Sequence, residues 1–91
     1  MKLKKYIELN YSVTCKRGQI SDKNTIHDFI KKLDEEVTEL KESIGTSNVN
    51  PIDPLEAIDI ILVMFSMLKH FGYNFIELLK YKVKYNQERK D

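Results

Sequence analysis

Two pairs of carboxylates at helical spacing are the residues of this sequence best suited to chemistry. Glu36 and Glu39 form a Glu-x-x-Glu pair, and Glu56 and Asp59 form a Glu-x-x-Asp pair further along the chain. A spacing of three residues places both members of a pair on one helix face, one turn apart. Four carboxylates held together repel one another and raise one another's pKa values unless a cation is present. Mg²⁺ or Mn²⁺ suits such a group, because these ions prefer oxygen ligands and keep positions open for the water and phosphate oxygens of a hydrolytic reaction.

Each pair also has a simpler explanation when it is taken alone. Glu36 and Glu39 belong to an acidic run, which is typical of a solvated helix face: Asp34, Glu35, Glu36, Glu39 and Glu42. Glu56 stands three residues after Asp53, so it could complete a capping box without any chemistry. Asp59 has no capping role, but it could lie on a thin solvent-facing strip. The presence of both pairs on neighbouring helices is what favours a shared metal site.

Other metal and nucleophile chemistries find no support in the sequence. A di-iron carboxylate bundle requires Glu-x-x-His motifs, whereas Asn24 and Met67 stand three residues before His27 and His70. The single cysteine, Cys15, excludes a cysteine-rich zinc site and has no acidic–histidine arrangement beside it in the sequence. The sequence also contains no Gly-rich phosphate loop.

The first carboxylate pair lies in a segment whose apolar residues predict an amphipathic helix. These residues recur at alternating steps of four and three, and Gly45 ends the pattern: Ile26, Ile30, Leu33, Val37, Leu40 and Ile44. The opposite side carries polar residues: Lys31, Lys32, Glu35, Thr38 and Glu42. Glu36 lies at the edge of the apolar seam and Glu39 one turn further on, so both are expected where this helix meets a neighbour.

The second pair opens a helix that is apolar nearly all round. Asp53 is predicted as its N-cap and Pro54 as its first residue, and the helix is expected to end near Phe71. We expect this helix to be buried, with Asp59 as an ionised group inside an apolar run. The short connection makes the two helices antiparallel neighbours, with their carboxylates at comparable depth.

The two ends of the chain complete a four-helix arrangement. Residues 2–17 alternate as a strand would, but a helix is favoured because the sequence offers no second strand as a partner. Asn74 is predicted to cap a last helix that runs to about Arg89. Its Lys82, Asn86 and Arg89 share one face and suit phosphate oxygens. The alternative is a solvated helix end, where basic residues suit the helix dipole.

Length, charge and cysteine content limit the class of protein. A chain of 91 residues forms one small domain, 1–91, whose core is only marginally sufficient, so we expect a multimer. The net charge of +1 argues against a nucleic-acid partner. The lone cysteine fits a reducing compartment, no signal peptide is evident, and the longest apolar run is too short for a bilayer. We therefore expect a cytoplasmic protein without a membrane partner.

Three segments together resemble the MazG-like nucleotide pyrophosphohydrolases, an all-α superfamily that also holds dimeric dUTPases and dCTP pyrophosphatases. They are Leu-Asp-Glu-Glu-Val-Thr-Glu-Leu at 33–40, Glu-Ala-Ile-Asp at 56–59 and Lys-Val-Lys-Tyr-Asn-Gln-Glu-Arg at 82–89. The resemblance covers residues 26–89, whereas residues 1–25 carry no clear signature of the family. It implies a four-helix module that forms a homodimer or homotetramer.

The resemblance also implies a reaction and a set of residues for it. The reaction is the Mg²⁺-dependent cleavage of nucleoside triphosphates, non-standard or surplus ones, to monophosphate and pyrophosphate. The implied metal ligands are Glu36, Glu39, Glu56 and Asp59, and the implied phosphate or nucleotide contacts are Lys82, Asn86 and Arg89. Glu36 or Glu35 is expected to position or deprotonate the attacking water. The rival hypothesis is a non-catalytic helical dimerisation module whose acidic run is a solvated or partner-binding face.

Overall fold

The fold consists of four α-helices, seen in a computed structural model that describes residues 2–89. The helices are α1 (Leu3–Lys16), α2 (Ile26–Glu42), α3 (Pro54–His70) and α4 (Phe75–Glu88), and residues 2–89 contain no strand. The predicted all-α class is therefore confirmed. Helix α3 is the central element, because α2 packs against it most extensively and α1 and α4 also contact it. None of the helices within the described range is long and apolar enough to cross a bilayer.

The segment 2–17, whose sequence fits either a strand or a helix, forms helix α1. Helix α1 ends just before Gly18, whose φ of +75° lies in the left-handed region that glycine tolerates best. Ile7 of α1 is buried, and the Tyr11 hydroxyl lies 2.8 Å from His70 Nδ1 on α3. This segment is therefore held in place as a helix packed against α3, and not as a strand paired with another strand.

The predicted caps fix where α3 and α4 begin. The Asp53 carboxylate accepts a hydrogen bond from the Leu55 N–H (3.0 Å), and Pro54 occupies the first helical position. The Asn74 side chain accepts from the Glu77 N–H (3.2 Å) at the start of α4. Both connections therefore end at side chains that satisfy the first free N–H groups of the next helix.

A third cap, at the start of α2, rests on the Thr25 N–H. This group donates to the Asp28 carboxylate (2.8 Å). The hydrogen bond holds the pKa of Asp28 below its ordinary value.

The apolar core is smaller than the sequence pattern predicts. Among residues 2–89, only Ile7 and Phe29 are buried apolar side chains. The expectation of a buried α3 is wrong for one side of the helix, since Ile58 and Ile61 are 47% and 44% exposed. The ends of the α2 seam are also exposed: Ile26, Ile30 and Ile44. Helices α1 and α2 cover one side of α3 and leave the other side largely open.

Helix α4 extends from the rest of the fold. It contains no buried residue, and its packing against α3 includes an edge-on contact of Phe75 with Phe65, with ring centroids 4.4 Å apart. The radius of gyration is 15.4 Å, whereas a compact chain of this length has about 12 Å. The chain is therefore more open than a self-sufficient domain.

Candidate metal centre

The structure brings the two predicted carboxylate pairs together. Glu36 and Glu39 come from the middle of α2, and Glu56 and Asp59 come from the first turns of α3. Each of the four offers one oxygen atom, and these oxygens all lie within 4.8 Å of one another. The antiparallel packing of α2 against α3 produces this arrangement, because the chain reverses between the two pairs. Four hard oxygen donors at this spacing form a site that could hold a divalent cation.

Burial within the cluster is the reverse of what the sequence predicts. Glu36, expected at the seam's edge, is only 6% exposed, whereas Asp59, expected in an apolar interior, is exposed. Glu39 is also exposed and Glu56 is half-buried. The expectation for Asp59 is wrong because this residue faces the open cavity between α2 and α3 and is not enclosed by apolar side chains. The cluster is consequently closed around Glu36 and open to solvent at Glu39 and Asp59.

Two oxygens of the cluster are buried without a partner. Glu36 Oε2 and Glu56 Oε2 make no hydrogen bond within residues 2–89. A buried carboxylate oxygen that lacks a donor is costly, since it has lost its water without gaining another partner. A cation bound among the four carboxylates would supply that partner. The donor set and the two unsatisfied oxygens therefore fit a hard divalent ion.

The capping-box explanation for Glu56 does not hold. A capping box would require the Glu56 carboxylate to accept a hydrogen bond from the Asp53 N–H. That N–H instead donates to the Ser43 hydroxyl at 3.2 Å. Glu56 is therefore free to join the other carboxylates, and its presence in the first turn of α3 needs another reason.

Lys32 partly balances the charge of the cluster, and sequence reasoning missed it. Its Nζ lies 3.0 Å from Glu36 Oε1 and 3.9 Å from Glu35 Oε2. The hydrogen bond with Glu36 raises the pKa of Lys32 above its ordinary value. The sequence places Lys32 on the solvated face, but its position four residues before Glu36 was the signal that could have identified the pair.

One ammonium group does not neutralise four carboxylates. The pKa of Glu39 is raised above its ordinary range, first by the hydrogen bond it forms with Glu36 when protonated and then by the negative charges of Glu36 and Glu56. Lys32 acts in the opposite direction and does not cancel the effect. The raised pKa of Glu39 therefore reflects the crowding of carboxylates, as expected of a cation site.

A cavity of about 510 Å³ opens beside the cluster. Glu36 and Asp59 belong to its wall, and so do Lys31, Lys32 and Glu35 from the side of α2 that was expected to face only solvent. Glu35, one of the two residues predicted to position water, therefore lies at the edge of the cavity. The remaining wall comes from α1, the link between α1 and α2, the first turn of α2, and one side of α3.

The predicted phosphate-binding residues of α4 lie apart from this cavity. Lys82, Asn86 and Arg89 are exposed, and none of them lines the cavity within its own chain. The Lys82 ammonium lies 5.0 Å from the centroid of the Tyr85 ring. Their assignment to phosphate or nucleotide binding stays a prediction.

Comparison of the chain with protein-family models, with characterised proteins and with solved structures finds no match in any of the three. The residues and their geometry are therefore what indicates a function. The resemblance to MazG-like enzymes remains a prediction from three short segments.

Proposed function

We propose that this chain is a Mg²⁺-dependent nucleoside triphosphate pyrophosphohydrolase of the MazG-like type, which releases a nucleoside monophosphate and pyrophosphate. The observation that carries the proposal is the convergence of Glu36, Glu39, Glu56 and Asp59, with oxygens within 4.8 Å of one another. Two of these side chains keep a buried oxygen without a hydrogen-bond partner within residues 2–89. Mn²⁺ is an alternative ion, because it accepts the same oxygen donors.

The four carboxylates would hold the ion, and the neighbouring side chains would prepare the reactants. A bound divalent cation would neutralise phosphate charge and lower the pKa of a coordinated water. Glu36 is fixed by burial and by Lys32, so it supplies a rigid side of the site. Glu39 and Asp59 are exposed, which leaves the opposite side accessible to phosphate oxygens and water. Glu35, at the cavity edge, or Glu36 would orient the attacking water and accept its proton.

The substrate we infer is a non-standard or surplus nucleoside triphosphate, consistent with the implied MazG-like type. Lys32 already lies at the cavity with its ammonium on the carboxylates, where an incoming phosphate would offer it a second anionic partner. Lys82, Asn86 and Arg89 would add further phosphate or nucleotide contacts. A cytoplasmic location agrees with the single free cysteine, Cys15.

We also infer that the protein acts as a homodimer or homotetramer. One copy exposes 7509 Å² of surface, whereas a compact monomer of this mass exposes about 5,500 Å². The excess of about 2,000 Å² exceeds the roughly 800 Å² per partner of a standard interface. Much of the exposed apolar area lies on α4, which is also basic: Leu78, Leu79, Tyr81, Val83 and Tyr85. Assembly would give the cations of α4 a route to the acidic cluster of a partner.

Pyrophosphate release across a panel of ribo- and deoxyribonucleoside triphosphates with Mg²⁺ tests the reaction. Asp59→Asn and Glu39→Gln should each abolish turnover while the helical CD spectrum stays unchanged, because each removes an anionic ligand from an exposed position. Glu42→Gln is the matched control, since Glu42 is an exposed acid on α2 outside the cluster. Absence of turnover with every nucleotide, or full turnover in both variants, would refute the proposal.

A non-catalytic helical interaction module is the second candidate, and the exposed apolar surface favours it. The exposed sides of α3 and α4 carry more large apolar residues than the buried core does. This candidate predicts that Mg²⁺ or Mn²⁺ leaves the melting temperature unchanged. A clear rise would count against it, because a ligand that binds only the native state must stabilise that state.

A further inference from the structure

The cavity beside the carboxylates has two chemically different ends. On α3, Asp59 and Ser66 both line it and stand seven residues apart, about 10 Å along the helix axis. On α2, Glu36 and Phe29 line it with the same separation in the opposite chain direction. Phe29 lies beside the far end of α3, with its ring centroid 5.0 Å from that of His70. The cavity therefore extends about two helical turns from the carboxylate end to a far end at Phe29 and Ser66.

The far end combines an apolar surface with one polar side chain, Asn10. Phe29 is 5% exposed, and Leu62 and Val63 continue the apolar wall. Asn10 of α1 also lines the cavity, and its Nδ2 donates to the hydroxyl of the buried Ser66 at 3.3 Å. In this arrangement Nδ2 of the amide faces Ser66 and Oδ1 faces away from it. The Asn10 Oδ1 then remains as a hydrogen-bond acceptor that has no partner within residues 2–89.

The wall of the far end is held in place by a second set of hydrogen bonds. His70 Nε2 donates to the Asn24 carbonyl at 3.2 Å, which leaves Nδ1 to accept from the Tyr11 hydroxyl at 2.8 Å. These bonds tie α1 and the link between α1 and α2 to the end of α3. Because Asn24 lines the cavity, the same bonds preserve its shape before any ligand enters, which lowers the entropic cost of binding.

We propose that this cavity binds the nucleoside part of the substrate and that Asn10 determines which base it accepts. The inference rests on the proposed function, since it places the phosphates at the carboxylate end. The separation of the two ends is comparable with the reach from the phosphates to the outer edge of the base in an extended nucleotide. An acceptor at Asn10 Oδ1 pairs with the exocyclic amino group of cytosine or adenine and opposes the carbonyl that replaces it in uracil or hypoxanthine. Residues 1–25, which carry no family signature, thus supply the base-reading group.

The test uses nucleoside monophosphates, which contain the base but need no turnover. Isothermal titration in saturating Mg²⁺, which offsets the charge of the carboxylates next to the phosphate, compares CMP with UMP and AMP with IMP, because each pair differs at the group that Asn10 would read. We expect CMP and AMP to bind about tenfold more tightly than UMP and IMP. In CMP and AMP the amino group donates a hydrogen bond to Asn10 Oδ1, whereas in UMP and IMP a carbonyl oxygen faces that acceptor. Asn10→Leu should reduce this ratio to about one. Asn10→Asp keeps an acceptor and should retain the preference.

Ser12→Ala is the matched control, since Ser12 is an exposed hydroxyl residue on α1 that does not line the cavity. It should leave both affinities and the ratio unchanged. The proposal is overturned if no monophosphate binds the wild-type protein, or if Asn10→Leu keeps the wild-type preference. If the preference follows Asn10 while no triphosphate is cleaved, the base pocket stands and the proposed hydrolysis fails. If triphosphates are cleaved with a preference that ignores Asn10, the hydrolysis stands and the base pocket fails.

Discussion

Replacing Glu56 with glutamine should stabilise the metal-free protein, which is unusual for a change in a half-buried helix residue. Glu56 loses no ion pair in this change, because the lysine beside the cluster pairs with Glu36 and Glu35. One carboxylate oxygen of Glu56 is buried without a partner within residues 2–89, and the carboxylate has an oxygen within 4.8 Å of an oxygen of Glu36. The substitution therefore removes a repulsion and leaves the shape of the side chain unchanged.

The size of this effect follows from the distance between the charges. Two unit charges 4.8 Å apart repel by about 3.5 kcal/mol at an effective dielectric constant of about 20. Solvent on the open side of the cluster screens part of this, and loss of an anion near a helix N-terminus costs about 0.3–1 kcal/mol. We expect a net gain of roughly 1–2 kcal/mol, and each kcal/mol raises the melting temperature of a domain this small by about 4–8 °C.

Thermal unfolding followed by circular dichroism, in EDTA and in saturating Mg²⁺, measures the prediction. In EDTA, Glu56→Gln should melt above the wild type, whereas Glu42→Gln should change stability by less than about 0.5 kcal/mol. In Mg²⁺ the order should reverse, because the wild type gains about 2.7 kcal/mol at a hundred times the dissociation constant and the variant gains less. A variant that melts below the wild type in EDTA, or that gains as much from Mg²⁺, would refute the idea of a crowded, cation-dependent cluster.

Three further predictions test the charge, the cavity and the assembly. Folding raises the pKa of Glu39, so protonation of Glu39 should stabilise the metal-free protein as the pH falls towards that pKa. The rise in melting temperature caused by Mn²⁺ should shrink over the same range. Melting scans from pH 7 to 4 with and without Mn²⁺ measure both effects, and a Mn²⁺ shift that stays constant with pH would contradict the prediction. His70→Leu removes the bonds to Tyr11 and Asn24, so amide hydrogen exchange should accelerate around Asn24, and unchanged exchange would contradict the anchoring role. Leu79→Glu, on the exposed apolar surface of α4, should lower the mass measured by light scattering to that of one chain, and an unaltered multimer would place the interface elsewhere.

The sequence predicted the helices well because their signals are local. The start of α3 follows from an aspartate cap before a proline, and the start of α4 from the Asn74 cap. The convergence of the carboxylates also follows from local spacing, since two pairs on adjacent antiparallel helices must meet. The resemblance to MazG-like enzymes used the same short segments.

The sequence does not predict which carboxylates are buried or what lines the far end of the cavity, because both depend on long-range packing. Whether Glu36 or Asp59 is buried depends on which side of α3 is covered by α1 and α2, and apolar periodicity does not specify that side. The contact of Asn10 with Ser66 joins residues on different helices at distant positions in the chain. No spacing rule connects them, so a base-reading group in α1 becomes visible only once the helices are packed.

The central claim is that Glu36, Glu39, Glu56 and Asp59 together hold a divalent cation. A crystal structure of the protein soaked in Mn²⁺, measured at the manganese absorption edge, tests it most directly. We expect an anomalous-scattering peak among the four carboxylates, with the oxygens of Glu36 and Glu56 that lack a partner turned towards it. The absence of a peak there at saturating Mn²⁺, with the four carboxylates intact and accessible, would contradict the account.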